Sequence, residues 1–285
     1  MFIASAAETI AARVVLGAYG EPMARLQPEA YLHHLRDESA RFRRVLAGTD
    51  PAARVPSCPD WDATDLLWHL GTVQHFWATI VTQRPQGPDD YVEPPRPEGH
   101  AAVLEFFDAG SARLLAALAE VDPAEEAWTW SADHTVGFTI RRQAHEALIH
   151  RVDAELAAGE RTPLDAALAA DGVEEVLDVM FGGSPPWGEF TPRERYVRIE
   201  CTDTGDATWV QLGDFRGTGP DGTVHDGPDL RVVTAPATPA AATVGGPAAA
   251  LDAWLWHRGD DAELRVEGDP AAYADFRACV DYPID

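Results

Sequence analysis

The hydrophobic period of the sequence changes near residue 190. Before that point, apolar residues recur at the three- and four-residue spacing of helices over segments 28–46, 64–81 and 101–121. From residue 195 onward, short β-rich runs such as RYVRIECTD and TWVQLGDF alternate with Gly, Asp and Pro. The two patterns occupy separate parts of the chain, which predicts an α+β protein of two domains.

The helical part predicts a four-helix bundle over residues 24–183, because its fourth periodic segment, RRQAHEALIHRVDAE, follows three others. One more helix closes this part and ends at two consecutive glycines. SPPWGEFTPR, residues 184–193, is typical of a linker, and residues 194–285 are expected to form a small α+β domain. Residues 1–23 lack the basic start of an export signal and are expected to be an N-terminal extension.

The charge balance restricts the class of partner. The chain has 47 acidic and 22 basic residues and a formal net charge of -25, which argues against binding to nucleic-acid phosphates or to an anionic membrane. Small molecules are the expected partners, and we expect a monomer. No P-loop, dinucleotide-binding or nucleophile-elbow motif occurs in the sequence. Its three cysteines are far apart, which predicts neither disulfides nor a cysteine zinc site and indicates a reducing compartment, the cytoplasm.

Glu146 and His150 form the most informative pair in the sequence. Four positions separate them, so on a helix they lie about 40° apart on one face and can share a metal ion. His145 and His150 diverge by about 140° and make a poor chelate. We therefore expect Glu146, and not His145, to be the partner of His150.

A catalytic zinc typically has three protein ligands and one open position. His69 is the expected third ligand, because it lies among leucines in DLLWHLG and should point into the core. The alternative is a packing histidine that binds no metal. Asp153 is expected to accept the ring N–H of a ligand histidine, although it could equally be a solvated carboxylate. The same rotation turns three arginines mostly outward, as surface charges: Arg141, Arg142 and Arg151.

Several longer stretches resemble the mycothiol-dependent maleylpyruvate isomerase family, in the family's order and from about Met23 onward. They are VPSCPDWDATDLLWHLG, HEALIHRVDAELAAG, AADGVEEVLDVMFG, and AALDAWLWHRG with LRVEGDP. The resemblance implies a DinB-like four-helix bundle followed by a sterol-carrier-like α+β domain. It also implies a divalent metal, usually zinc, on His69, Glu146 and His150, the same residues that the helix geometry selects.

The resemblance further implies mycothiol as the thiol cosubstrate and an arginine that binds the thiol or an anionic substrate, for which Arg258 in WLWHRG is the expected residue. The reaction would be isomerisation of an electrophile, such as a cis dicarboxylate, or thiol S-transfer. Two other classes of protein stay open. One is a non-catalytic protein that binds a metal or a small ligand, and the other is a metal-dependent hydrolase, for which the sequence shows no general base.

Overall fold

The structure is a computed structural model that describes residues 25–282 and residue 284. It divides into two compact units. The first comprises Leu26–Thr129 and Asp133–Pro163, and the second comprises Arg25, Trp130–Ala132 and the described chain from Leu164 onward. The expected N-terminal extension, residues 1–23, lies outside the described residues.

The first unit is a four-helix bundle, as the sequence predicts. Its helices are α1 (Pro28–Gly48), α2 (Ala63–Gln83), α3 (His100–Ala119) and α4 (Val136–Ala158). A short antiparallel pair, β1 (Arg54–Val55) and β2 (Cys58–Asp62), leads from α1 into α2. The core between the helices is apolar, and the tilted ring pair of Phe42 and Phe107, 5.1 Å between centroids, lies within it.

The start of α2 is fixed by a capping box. The Asp62 carboxylate accepts hydrogen bonds from the backbone N–H groups of Thr64 and Asp65, and the Asp65 carboxylate accepts one from the backbone N–H of Asp62. The cap sets where the first turn begins, and His69 follows two turns later on α2.

The second unit begins with helix α5 (Ala166–Glu175), which continues as one π-helical segment, Val176–Phe181. The sequence assigned this helix to the bundle and placed the linker at residues 184–193. The structure instead divides the chain between Pro163 and Leu164. Hydrophobic period shows that a segment is helical, but it does not show which core the helix packs into.

A five-stranded sheet forms the centre of the second unit, in the order β5–β4–β3–β6–β7. The strands are β3 (Gly188–Cys201), β4 (Ala207–Thr218), β5 (Val224–Val233), β6 (Ala242–Gly246) and β7 (Arg265–Gly268), and the helices α6 (Ala248–Leu255) and α7 (Pro270–Val280) complete the unit. Within this sheet of described strands, β3 and β6 pair in parallel and the other neighbours pair antiparallel. In β3, Val197, Ile199 and Cys201 are buried and alternate with more exposed residues, so one face of the strand meets the core.

The expected linker is partly strand. β3 starts at Gly188, which pairs with Gly217 of β4, and the pairing register shifts between Pro192 and Tyr196. Proline lacks the N–H that a ladder needs and is tolerated at such irregularities. The Pro- and Gly-rich composition of this stretch therefore marks an irregular strand.

None of the helices in the described part of the chain combines the length and the apolar character that crossing a bilayer requires.

Candidate metal centre

Helix α4 carries most of the candidate site. It begins at the cap of Thr135, whose hydroxyl accepts the backbone N–H of Phe138, and it ends at Gly159, which has the left-handed conformation (φ 70°) that glycine adopts without strain. Nearly every residue of α4 is buried, including those on the side away from the site. The helix is therefore surrounded by protein, and its polar side chains all need partners.

His69, Glu146 and His150 come together between α2 and α4, and we refer to these three side chains as the cluster. Their potential ligand atoms lie within 4.8 Å of one another. The Glu146 Oε1 atom lies 3.1 Å from His150 Nε2 and 3.7 Å from His69 Nε2. The sequence prediction that these residues meet is reproduced by the structure. Elsewhere in the described residues, no other group of three or more His, Cys, Asp or Glu side chains meets so closely.

The position of His69 is supported by aromatic packing. Its ring lies 4.7 Å from the ring of Trp61, at an interplanar angle of 38°, and 4.8 Å from the ring of His150. The His69 Nε2 atom is buried and has no hydrogen-bond partner, because Glu146 is too far away for one. A buried ring nitrogen without a partner is costly, so this atom is available to a ligand that the protein itself does not provide.

A chain of hydrogen bonds fixes the Nδ1 side of the His150 ring. The Nδ1 atom of His150 lies 2.9 Å from Asp153 Oδ2, and the Ser57 hydroxyl donates to the other carboxylate oxygen of Asp153. Asp153 is fully buried, so it is not a solvated carboxylate. With Nδ1 as the donor to Asp153, the Nε2 atom faces the cluster, which is the arrangement that orients metal-binding histidines. Ser57 was not identified from the sequence.

The protonation states in the cluster differ from one residue to the next. Burial lowers the pKa of His69 and outweighs the attraction of Glu146. Burial also acts to lower the pKa of His150, but hydrogen bonds to Asp153 and Glu146 outweigh it and raise this pKa to about 9. For Glu146, burial acts to raise the pKa, but Arg142 and the two histidines hold it well below its usual range. Glu146 is therefore a carboxylate throughout the physiological pH range.

Arg142 is a buried partner of the cluster, and its expected place on the surface was wrong. Its side chain is only 4% exposed, and its Nη2 atom lies 2.7 Å from Glu146 Oε2. Arg141 and Arg151 are buried as well. The outward placement assumed that α4 has one solvent face, which a fully surrounded helix does not have. The spacing of four residues between Arg142 and Glu146 was the available signal for this pair.

Three other histidines of the first unit have contacts of their own. His145 is buried and packs edge-on against Tyr31 of α1, with 6.2 Å between centroids, so it lies on another side of α4, as the helix geometry predicts. His100 contacts the Thr64 hydroxyl and the Leu46 carbonyl, and His75 contacts the Tyr91 hydroxyl. These contacts separate the ligand candidates from the other histidines.

Arg258 belongs to the second unit, just after α6. It is 6% exposed, and its Nη1 atom donates to the carbonyls of Trp256 and Ile284, at 2.7 and 3.0 Å. These bonds tie the end of α6 to the C-terminal segment. The role of Arg258 in binding a substrate or thiol stays a prediction.

The three cysteines, Cys58, Cys201 and Cys279, are buried, and none of them forms a disulfide bond. Burial raises the pKa of Cys201 and that of Cys279 to about 12 each, so neither forms a thiolate near neutral pH.

The donor set of the cluster fits a zinc-class ion. Two imidazole nitrogens and one carboxylate oxygen are a common catalytic zinc set, and at bond lengths of about 2.0–2.1 Å the ligand atoms of a tetrahedral zinc lie about 3.3–3.4 Å apart. The observed separations of 3.1 and 3.7 Å from Glu146 Oε1 fall on either side of that value. The unpartnered Nε2 atom of His69 is consistent with the same interpretation.

Each unit matches a domain of the same protein family. Residues 32–155 match the family described as mycothiol maleylpyruvate isomerase N-terminal domain, and residues 167–275 match the MDMPI C-terminal domain. The second match begins just after the division that the structure shows. No curated protein matches the chain.

Two crystal structures resemble this chain in fold: a mycothiol-dependent maleylpyruvate isomerase and a histidine-to-alanine mutant of that enzyme. Each is 14% identical to this chain, and the match covers 85% of this chain and 93% of the solved one. The TM-score is 0.55 for the enzyme and 0.56 for the mutant. At this identity the likeness establishes the fold. Together with the two family matches, it shows that the chain belongs to the mycothiol-dependent maleylpyruvate isomerase family.

Proposed function

We propose that the protein is a metal-dependent enzyme that uses mycothiol as its thiol cosubstrate. The observation that carries this proposal is the convergence of His69, Glu146 and His150 on one point of the bundle. Three protein ligands leave a tetrahedral ion one position short, which is typical of catalytic sites and not of structural ones. Membership of the family supports mycothiol as the thiol.

The ion would be zinc or another divalent metal, and His69, Glu146 and His150 would hold it. When bound, it supplies positive charge that stabilises a thiol sulfur as thiolate at neutral pH. Asp153 keeps His150 in the required orientation and tautomer, and Ser57 keeps Asp153 in place. The chain needs no cysteine nucleophile of its own for this chemistry.

In the isomerase reaction, the thiolate of mycothiol adds to the activated cis double bond of a dicarboxylate. Rotation about the resulting single bond and elimination of the same thiolate give the trans product, so the substrate gains and loses no atoms. In the S-transferase reaction, the thiolate attacks an electrophile, the bond to the electrophile's leaving group breaks, and the leaving group and the S-conjugate both depart. A guanidinium suits the carboxylate of the first type of substrate, and Arg258 remains our candidate for that contact.

The test combines metal analysis with a screen of thiols and electrophiles. We expect about one divalent ion per chain and turnover only when a low-molecular-weight thiol is present. His150→Ala should lose both the ion and thiol-dependent turnover. Removing a residue that only hydrogen-bonds a metal ligand typically lowers metal affinity by about 10- to 100-fold, and removing a ligand itself should lower it further. Cys58→Ser, which also replaces a buried residue of the first unit, should keep both and serves as the matched control.

Two outcomes would favour the other classes of protein. Turnover at full rate without thiol would favour a metal-dependent hydrolase. Tight metal binding with no turnover, and with no sulfur-to-metal signal in X-ray absorption when mycothiol is added, would favour a non-catalytic binding protein.

A further inference from the structure

One arginine of the second unit is held in place without a carboxylate partner. Arg231 of β5 is half-buried, and its Cζ atom lies 4.6 Å from the centre of the Phe190 ring. Within the described part of the chain, no carboxylate lies at ion-pair distance from its guanidinium. An arginine that is partly withdrawn from water is normally paired with an acid. Other arginines without such a partner are exposed to water instead: Arg36, Arg44, Arg161 and Arg265.

A hydrogen-bonded row across three strands fixes one edge of this guanidinium. Tyr196 of β3, Gln211 of β4 and Arg231 of β5 lie side by side in the pairing register. The Gln211 amide nitrogen donates to the Tyr196 hydroxyl at 3.3 Å and to the Arg193 carbonyl at 3.0 Å, which sets the direction of the amide. The amide oxygen accepts hydrogen bonds from Nε and Nη2 of Arg231, at 3.3 and 3.2 Å. The Arg231 side chain is therefore oriented before any ligand binds.

The outer edge of the guanidinium keeps two donors. A guanidinium carries five N–H groups in one plane, and Nη1 and Nη2 each direct one of them outward from the end of the side chain, in parallel. Because Gln211 occupies the edge that contains Nε, this outer pair has no acceptor among the residues that the structure describes. Two parallel N–H donors match the two oxygens of a carboxylate.

The Phe190 ring covers one face of the guanidinium and is itself fixed by the sheet. It lies over Gly213 of β4, where a Cβ atom would come within 2.4 Å of the ring. A larger residue at position 213 would displace the ring, so glycine allows Phe190 to lie there. A ligand that pairs with both outer donors of Arg231 therefore lies in the plane of the guanidinium, beside the ring.

The nearest acidic residue along β5 does not supply the missing partner. Asp229 lies two residues before Arg231, and its carboxylate accepts the backbone N–H of Leu230 at 2.8 Å. Burial raises the pKa of Asp229 to about 6, whereas an ion pair with a guanidinium would lower this pKa. The two side chains therefore do not neutralise each other.

We propose that Arg231 forms a binding site for a small carboxylate on the sheet of the second unit. Arg231 binds the two carboxylate oxygens through Nη1 and Nη2, Gln211 orients the guanidinium, and Phe190 covers one of its faces. The site consists of residues of the second unit and does not depend on Arg258. The inference rests neither on the proposed metal ion nor on mycothiol.

The experiment compares benzoate with benzamide, a neutral molecule of similar shape, by ligand-observed NMR on the full chain. We expect wild type to bind benzoate more tightly than benzamide. Arg231→Gln should weaken benzoate binding by about 10- to 100-fold, as for the loss of a charge-assisted hydrogen bond, and should change benzamide binding by less than about threefold. Arg198→Gln is the matched control. It removes an arginine of the same sheet that already pairs with Glu200, at 2.8 Å, and it should leave benzoate binding unchanged.

Chemical modification tests the same site in the wild type, so the proposal is tested even where Arg231→Gln does not fold. Phenylglyoxal reacts with the terminal nitrogens of a guanidinium, and mass spectrometry of the digested protein reports the rate at each arginine. We expect benzoate to slow the modification of Arg231 and to leave that of Arg198 unchanged. Benzamide should slow neither reaction.

The proposal is overturned where wild type binds benzoate no more tightly than benzamide, where Arg231→Gln leaves benzoate binding unchanged, or where Arg198→Gln weakens it equally. Equal loss of benzoate and benzamide in Arg231→Gln would also overturn it, because the substitution would then act on the fold and not on the recognition of charge. Inorganic phosphate that binds more tightly than benzoate, with the same dependence on Arg231, would overturn the assignment to a carboxylate. Failure to bind a metal would overturn the proposed function and leave this inference unchanged.

Discussion

At the scale of single residues, His150 would couple metal binding at the proposed site to pH. Its pKa of about 9 means that it carries a proton at neutral pH in the metal-free protein, and this proton must leave before Nε2 can bind an ion. The two other ligands have none to release, because the pKa of His69 is lowered and that of Glu146 is held well below its usual range.

We therefore expect metal binding to release about one proton at pH 7 and progressively less above pH 9. Affinity should fall by about tenfold for each pH unit below 9, until other groups begin to titrate. Calorimetry in buffers of different ionisation enthalpy measures the number of protons directly. Metal binding at pH 7 without proton release would contradict the assigned charge of His150.

The metal-free protein should show the opposite trend. A pKa raised above the ordinary value of 6.5 stabilises the fold fully below pH 6.5, and this contribution is lost as the pH rises through about 9. Chemical denaturation of the metal-free chain between pH 6.5 and 9 should show declining stability, and His150→Gln should reduce the decline. If stability declines equally in His150→Gln, another titrating group causes the decline.

How far the sequence predicts the site differs from residue to residue. The pair of Glu146 and His150 follows from helical period alone, and His69 follows from its apolar neighbours. Ser57 could not be predicted in this way, since it lies in the irregular entry to α2 and its contact with Asp153 joins positions 96 residues apart. Arg142 was missed because a pattern-based argument places charges outside, whereas here the charge is buried with a partner.

At the scale of elements, the cap of α2 determines where His69 is presented. Asp62→Ala removes the acceptor for two backbone N–H groups and should lower the free energy of unfolding by about 1 kcal/mol. Asp60→Ala is the matched control, because it replaces an exposed aspartate of the same strand, and it should change stability by less than about 0.5 kcal/mol. Urea denaturation measures both, and equal losses in the two variants would contradict a specific capping effect.

The hydrophobic pattern is sufficient to predict the positions of some elements but not of others. The four bundle helices and the later strands have clear periods, and the structure has them close to the expected positions. The beginning of β3 does not follow from period, because Gly188 and Pro192 suggest a loop. Its pairing with β4 is a long-range contact, and such contacts override local preference.

At the scale of the whole molecule, the three side chains of the cluster all belong to the first unit. Any ion that binds the folded state alone stabilises it, by about 2.7 kcal/mol at a free concentration 100 times the dissociation constant. Because α2 and α4 supply the ligands, the ion would connect two helices that are distant in sequence.

We expect zinc to slow amide hydrogen exchange in peptides from α2 and α4, with little change in peptides from β3 and β4. Mass spectrometry can measure this exchange with and without zinc. As a control, His150→Ala should show no effect of zinc in either unit. Slower exchange confined to the second unit would place the bound ion elsewhere.

The packing of Trp61 against His69 gives the cluster an optical reporter. The indole lies 4.7 Å from an imidazole that would hold the ion, well within the range over which paramagnetic ions quench excited aromatic rings. Co²⁺ should therefore dim part of the emission of the nine tryptophans, and Zn²⁺, which has a filled d shell, should leave most of it. Trp61→Phe should remove the quenched component while it preserves the ring contact. Metal binding could then be followed by tryptophan fluorescence, without a substrate or a chromogenic chelator.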